Sequence, residues 1–222
     1  MRKLAILRPE PGATATLAKA GALGLDAFAL PLFEVVAVEW EAPEPSAYDG
    51  VLLTSANAVR LGGEGLQALR GLPAYAVGEA TADAAREWGF GIAATGDHGV
   101  DRLLGSVDPG LRLFHPCGRH RTAPSAAPQK ITPAAVYEAR AIARVAGLER
   151  LGGCVALVHS QRAGRRLAEL VGDRSTIAIA AISSGAASAA GSGWEAVVAA
   201  ETPAERALLA LAARLCKNGA GQ

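Results

Sequence analysis

The sequence predicts an α/β protein made of two doubly wound parallel-sheet domains joined by a two-stranded linker. Three observations carry this. Short apolar runs alternate with Ala-rich helical stretches, the pattern of parallel strands covered by helices on both faces. A strand-to-helix segment recurs, as Leu52-Leu53-Thr54-Ser55 and as Leu157-Val158-His159-Ser160. From Ser55 it is 23 residues to Gly78, and from Ser160 it is 23 residues to Ser183, each closing a further apolar run. Gly89-Phe90 likewise answers Gly193-Trp194, each just before a strand. Finally, two longer strand-like segments, 33–40 and 134–143, bracket one complete α/β set.

In chain order, Lys3–Leu7 reads as a buried strand. A Pro-Gly loop (Pro9, Pro11, Gly12) leads into a helix over Thr14–Leu23, which Gly24 stops. Ala27–Leu30 is the next strand. The β-branched stretch from Pro31 to Trp40 leaves this set and ends at Pro43–Pro45. Inside the insertion, strands fall at Gly50–Leu53, Ala74–Val77, Gly91–Ala94 and Leu111–Phe114. Helices fall at Ser55–Leu69, Glu79–Trp88 and Val100–Val107, and a polar loop follows at His115–Thr122. Ala134–Ala143 returns as the second linker strand. Strands Cys154–Val158, Thr176–Ala181 and Glu195–Ala199 then alternate with helices Gln161–Val171, Gly185–Ala190 and Pro203–Leu215. The tail Asn218–Gln222 is expected to fray. The domain reading is therefore residues 1–35 plus 143–222 for one domain, with 40–135 inserted as the other. Insertion of this kind is easy where chain termini lie close together.

Composition narrows the function. The chain has 222 residues, 50% hydrophobic, and its 22 Lys and Arg face 21 Asp and Glu for a net charge of +1. Disorder would need low hydrophobicity and high net charge. Duplex nucleic-acid binding would need a basic field that is not present. Three cysteines, Cys117, Cys154 and Cys216, make no disulfide framework and suggest a reducing compartment. The apolar run at the N-terminus stops at Arg8-Pro9-Glu10, too short for a signal peptide core. The uncharged stretch Ser175–Trp194 is broken by Ser183-Ser184-Gly185 and does not read as a membrane span. A cytoplasmic protein without membrane or nucleic-acid partners, working as a monomer, is expected.

In parallel sheets, ligands sit beyond the carboxyl ends of the strands. The residues there are small and hydroxylic: Thr54, Ser55 and Asn57; Gly78 and Thr81; Ser160; and Ser183. Each segment precedes a helix and can offer N–H groups to an anion. Ordinary N-capping needs the same residue types, but four such segments facing one cleft favour a polyanion. Arg8 and Arg119, in loops near strand ends, suit carboxylates. Arg162, Arg165 and Arg166 fit a solvated helix face. Tyr137, on a linker strand, needs a partner for its hydroxyl if buried. No phosphate loop and no Gly-x-Gly-x-x-Gly follows the first strand, so nucleotide cofactors lose support. His115-x-Cys117-x-x-His120 lacks a second cluster and reads as a solvated loop rather than a metal site. The expectation is no cofactor and no metal.

Several segments together resemble the uroporphyrinogen-III synthase family. They are Ile6-Leu7-Arg8-Pro9, Pro31-Leu32-Phe33-Glu34-Val35, the run from Asp49 through Thr54-Ser55-Ala56-Asn57 to Val59, Tyr75-Ala76-Val77-Gly78-Glu79-Ala80-Thr81, Pro116-Cys117-Gly118-Arg119 and Val136-Tyr137. Each is short; their order and spacing over nearly the whole chain carry the resemblance. It implies two flavodoxin-like domains joined by a two-stranded linker, a cleft site and no cofactor. It implies hydroxymethylbilane, a linear tetrapyrrole with eight carboxylates, as substrate. The reaction implied is ring closure with inversion of ring D and loss of water through a spiro-pyrrolenine. Tyr137 then matches the family's tyrosine proposed to assist departure of the hydroxyl. Thr54, Ser55, Asn57, Gly78 and Thr81 match cleft-lining positions, and Gly118 and Arg119 are counted with them as substrate-binding. The second module departs from the family pattern, with Ser183-Ser184-Gly185 followed by Ala186 where a threonine is often found. A sensor clamping a small anion between two domains would use the same cleft. A phosphosugar isomerase would need a base that only Glu79 offers.

Overall fold

A computed structural model describes residues 1–96, 99–121, 123–125 and 127–218. The chain end expected to fray lies, from 219 on, outside these residues, as does Thr122 at the end of the expected polar loop. The strands are β1 (Leu4–Ile6), β2 (Ala27–Ala29), β3 (Phe33–Ala37), β4 (Gly50–Leu53), β5 (Ala74–Val77), β6 (Ile92–Gly96), β7 (Arg112–Gly118), β8 (Lys130–Ala141), β9 (Val155–Val158), β10 (Ala178–Ala181) and β11 (Ala196–Ala199). The helices are α1 (Gly12–Ala22), α2 (Ala56–Leu61), α3 (Gly63–Gln67), α4 (Glu79–Glu87), α5 (Val100–Gly105), α6 (Gln161–Leu170), α7 (Ser184–Ala190) and α8 (Glu205–Asn218). Contacts divide the chain into one unit of Met1–Glu34 with Arg140–Gln222 and a second of Val35–Ala139.

The first unit holds a parallel sheet in the order β11-β10-β9-β1-β2. Strands β9 and β10 are buried along their whole length, as sheets covered on both faces require. Alternate residues Leu4, Ile6, Val155, Leu157, Ala178 and Ala180 pack with Leu208, Leu209, Leu211 and Ala212 of α8 and with Ala13 and Ala20 of α1. The chain steps one way across the sheet from β1 to β2 and the other way from β9 to β11. Right-handed crossovers then place α1 and the α6–α7 pair on opposite faces. Helices α6 and α7 meet through Gly164, where a Cβ would stand 2.8 Å from the Ala186 carbonyl oxygen and 2.9 Å from the Ala190 nitrogen.

The second unit carries the six-stranded sheet β3-β8-β7-β4-β5-β6. Val51 and Leu53 face a core with Val59, Leu66, Leu69, Ala84, Ala85 and Phe114. Leu52 faces the other side, with Leu103, Leu104 and Leu113. The two sheets share one plan. If the first unit is counted from β9 rather than from β1, its order β11-β10-β9-β1-β2 matches β6-β5-β4-β7-β8 strand for strand. The register agrees as well: Val51 pairs with Ala74 and with Phe114, and Ala156 pairs with Ile179 and with Ala5. The repeat that sets Ser55 against Ser160 thus sets Thr54 against His159, Gly78 against Ser183 and His115 against Ile6.

Three expectations are corrected. The helix over Ser55–Leu69 is two helices, because the chain breaks at Gly62-Gly63 with Gly63 at φ +60°, a conformation natural to glycine. The polar loop expected from His115 is strand as far as Gly118. Pro116 hides this strand in the sequence, since proline supplies no ladder N–H; the pairing of β7 with β4 ends at Phe114, so no β4 bond is forfeited there. The second linker strand begins at Lys130 rather than Ala134, and pairs parallel with β7 as well as lying beside β3. The β3 pairing is antiparallel: Val38 N–H donates to Val136 O, while Ile142 N–H donates to Leu32 O.

Gly164→Ala should destabilise the fold by about 1–3 kcal/mol through overpacking between α6 and α7. Urea denaturation checks it, the expected outcome being a lower midpoint at unchanged slope.

Candidate active site

In the second unit the winding direction changes between β4 and β7, the place where doubly wound sheets bind ligands beyond their strand ends. The amino ends of these strands are tied by Asp49 and Arg112. The guanidinium contacts the carboxylate at 2.7 and 3.0 Å, and Arg112 N–H donates to Asp49 Oδ2 at 2.8 Å. These hydrogen bonds hold the Asp49 carboxyl down at about 2. At the carboxyl ends, β4 delivers Thr54 and Ser55, β5 delivers Gly78, and β7 delivers Gly118 and Arg119.

Ser55 caps α2: its Oγ accepts the Asn57 N–H at 3.2 Å. The same oxygen is 3.1 Å from the Tyr137 hydroxyl. Tyr137 lies on β8 opposite Gly118, and Arg119 N–H donates to the Tyr137 carbonyl at 2.9 Å. Gly118 is needed for closeness rather than for turn geometry. A Cβ there would lie 2.9–3.0 Å from the Tyr137 Cζ, Cε2 and hydroxyl oxygen. The absent side chain is what lets the ring lie over the end of β7.

His115 was not expected here. It is 2% exposed, and its Nε2 is 2.9 Å from Thr54 Oγ1. Its Nδ1 is buried without a partner. Burial, then the charge of Arg121, pushes its pKa down to about 4, so the ring is neutral at physiological pH. A stranded buried N–H costs more than a stranded lone pair in an otherwise apolar wall, so the ring proton belongs on Nε2. Thr54 Oγ1 then accepts, and its own proton is left to donate. The signal was present in the sequence: Leu113, Phe114 and Cys117 frame His115 with strand-like residues, but Pro116 obscured them.

Other predicted residues fall into place differently. Thr81 is buried in α4, and Gly78 begins that helix at φ +81°. Arg119 is exposed and pairs with Glu138 at 3.2 Å, next to the exposed His120 and Arg121. Arg8, Ser160 and Ser183 belong to the first unit, at the carboxyl ends of β1, β9 and β10. Ser160 and Ser183 each accept a helix N–H, from Ala163 at 3.1 Å and from Ala186 at 3.3 Å. Arg8 binds Glu205 at 3.2 Å and Thr16 at 3.3 Å. Burial would raise the Glu205 carboxyl, but the Lys19 and Thr16 hydrogen bonds and the Lys19 and Arg8 charges hold it below its ordinary value. His159, the counterpart of Thr54, has both ring nitrogens buried without a hydrogen-bond partner, and burial, then Arg8, pushes its pKa to about 4. On α6, Arg162 stacks over Phe33 at 4.6 Å and Arg166 donates to Ile142 O at 2.9 Å. That helix face is thus partly engaged rather than wholly solvated. All three cysteines are free and buried, and burial raises each thiol. Among the described residues, no group of three or more His, Cys, Asp or Glu is placed to hold a metal ion, and no helix is long and apolar enough to cross a membrane.

The family model described as uroporphyrinogen-III synthase HemD matches residues 14–210. The chain belongs to the uroporphyrinogen-III synthase family. Comparison with curated protein sequences gives no match. The solved uroporphyrinogen-III synthetase of Helicobacter pylori is similar over 97% of this chain and all of its own, at 19% identity and a TM-score of 0.67. A mutant uroporphyrinogen III synthase of the extremely thermophilic bacterium Thermus thermophilus is similar over 98% of this chain and all of its own, at 18% identity and a TM-score of 0.52. At such identities the likeness is one of fold, and it supports the two-domain parallel α/β architecture. Membership in the uroporphyrinogen-III synthase family makes the protein a lyase-type enzyme of haem biosynthesis whose substrate is a small tetrapyrrole.

Two outcomes are expected. Unfolding frees His115 and His159 to titrate near 6.5, whereas in the fold they titrate near 4. The unfolded chain therefore binds more protons between these values. Stability should be level above pH 6.5, fall as pH drops towards 4 by up to about 3 kcal/mol per histidine, and fall no further from this cause below 4. Denaturation midpoints from pH 4 to 7.5 check it, with a shallower fall in His115→Gln. Separately, Gly118→Ala should displace the Tyr137 ring and lower turnover at least several-fold while the denaturation midpoint moves little.

Proposed function

We propose that this chain converts hydroxymethylbilane to uroporphyrinogen III, closing the macrocycle with ring D inverted and releasing water, and that the chemistry is served by the Tyr137, Ser55 and Thr54 hydroxyls of the second unit. The observation that supports this most directly is the Tyr137–Ser55 hydrogen bond. It joins the linker strand β8 to the carboxyl end of β4 at the winding switch, in a chain of the family named above.

The reading follows from what the reaction needs. Loss of hydroxide from the ring A hydroxymethyl group leaves an azafulvenium cation, and hydrogen-bond donors at the departing oxygen ease that step. Attack by the substituted α-carbon of ring D gives a spiro-pyrrolenine, which fragments and recloses with ring D reversed. Unassisted closure gives the type I isomer. The protein has to favour one transition state over another, and a hundredfold preference takes only about 2.7 kcal/mol. A site of hydroxyls and close-packed glycines is enough for that. Arg119 and Arg121 give the end of β7 exposed positive charge for the substrate's carboxylates. The Glu138 ion pair holds the Arg119 Nε side of the guanidinium and leaves its other N–H groups to reach outward.

Purified protein given fresh hydroxymethylbilane should yield the type III isomer in excess over a protein-free blank. An isomer distribution equal to the blank would end this reading and leave a binding protein for small anions. Arg119→Ala should raise KM several-fold with little change in kcat, and added salt should raise the wild-type KM in the same direction.

A further inference from the structure

Ser55 Oγ can donate one hydrogen bond and accept two. It accepts the Asn57 N–H at 3.2 Å, and the Tyr137 hydroxyl lies 3.1 Å away. Two hydroxyls can share a proton in either sense, but a phenol is the better donor and an aliphatic alcohol the better acceptor. With Tyr137 donating, both acceptor positions of Ser55 are filled. Its own proton then has only an outward use. Ser55 is half-buried, just beyond the carboxyl end of β4, which leaves that proton to a group arriving from solvent. The Tyr137 proton is turned inward, towards Ser55.

We infer that Ser55, rather than Tyr137, presents the proton to the departing hydroxyl of the substrate, and that Tyr137 acts through Ser55 as a positioning and relay residue. This rests on the synthase reading above. In the step assigned, the bond from the hydroxymethyl carbon to oxygen breaks with its electron pair on oxygen. The Ser55 proton joins that oxygen and water leaves. The Tyr137 proton moves to Ser55 Oγ, and the phenolate so formed balances the azafulvenium charge. When the reclosed ring system regains aromaticity it releases one proton from carbon, which returns through Ser55 to Tyr137. Net, one water is lost and both side chains are restored.

The test is turnover and product isomer for wild type, Tyr137→Phe, Ser55→Gly and the double variant, with fresh hydroxymethylbilane. Glycine is chosen because it keeps helix capping within a few tenths of the serine value, and denaturation midpoints show that each variant is folded. The relay predicts that Ser55→Gly lowers kcat at least as much as Tyr137→Phe, tenfold or more, with KM within twofold. It predicts that the double variant is no slower than Ser55→Gly alone, within twofold, because Tyr137 has nothing left to act through. Ser55→Thr, which keeps the hydroxyl, should recover most of the rate. Multiplying losses in the double variant, or a Ser55→Gly protein that keeps wild-type kcat while Tyr137→Phe does not, would overturn the relay and leave the synthase reading standing. A wild-type protein that yields only the type I isomer would remove both.

Discussion

Parallel strands buried on both faces push polar chemistry towards their ends. The middle strands β4, β9 and β10 are buried end to end. Side chains along these middle strands are therefore apolar, and groups able to bind or react gather where such strands stop and a helix starts, with His115 on β7 and Tyr137 on β8 reaching the same end. That constraint explains why Thr54, Ser55, Ser160 and Ser183 all stand at such junctions, and why so many of them are helix caps. Capping and catalysis are not rivals at Ser55. The N–H of Asn57 fixes the oxygen, and the fixed oxygen has a definite direction in which to give its proton.

The shared plan of the two sheets sharpens the point. Position for position, the end of β4 and the end of β9 are equivalent, yet they hold different chemistry. In one, Thr54 and His115 form a pair across β4 and β7. In the other, His159 and Ile6 hold the corresponding places, and the His159 ring nitrogens are buried without a hydrogen-bond partner. The linker strand breaks the equivalence further, because β8 holds Tyr137 opposite Gly118 and within hydrogen-bond reach of Ser55. A duplicated scaffold has thus been given one hydroxyl-rich strand end and one where Arg8, Thr16, Lys19 and Glu205 satisfy one another.

Much of this was legible in the residues. The alternation of short apolar runs and Ala-rich stretches gave nearly every strand, because strands buried on both faces leave an unbroken apolar signature. The 23-residue spacing from Ser55 to Gly78 and from Ser160 to Ser183 exposed the repeat. The errors have physical causes. Gly62-Gly63 splits a helix whose flanks both read as helical, and only the positive φ at Gly63 shows it. Pro116 makes the second half of β7 look like a loop, which concealed His115. The contact of Tyr137 with Ser55 joins residues 82 apart, and no local pattern encodes such a pairing. Only the sheet order does.

The thiols add something unrelated to turnover. Cys117 lies in the second unit and Cys154 and Cys216 in the first, all sealed from solvent and reluctant to ionise. An alkylating reagent meets each sulfur only when its surroundings open. The chain therefore carries native reporters of breathing, one in the second unit and two in the first, and their separate labelling rates would reveal which half loosens first.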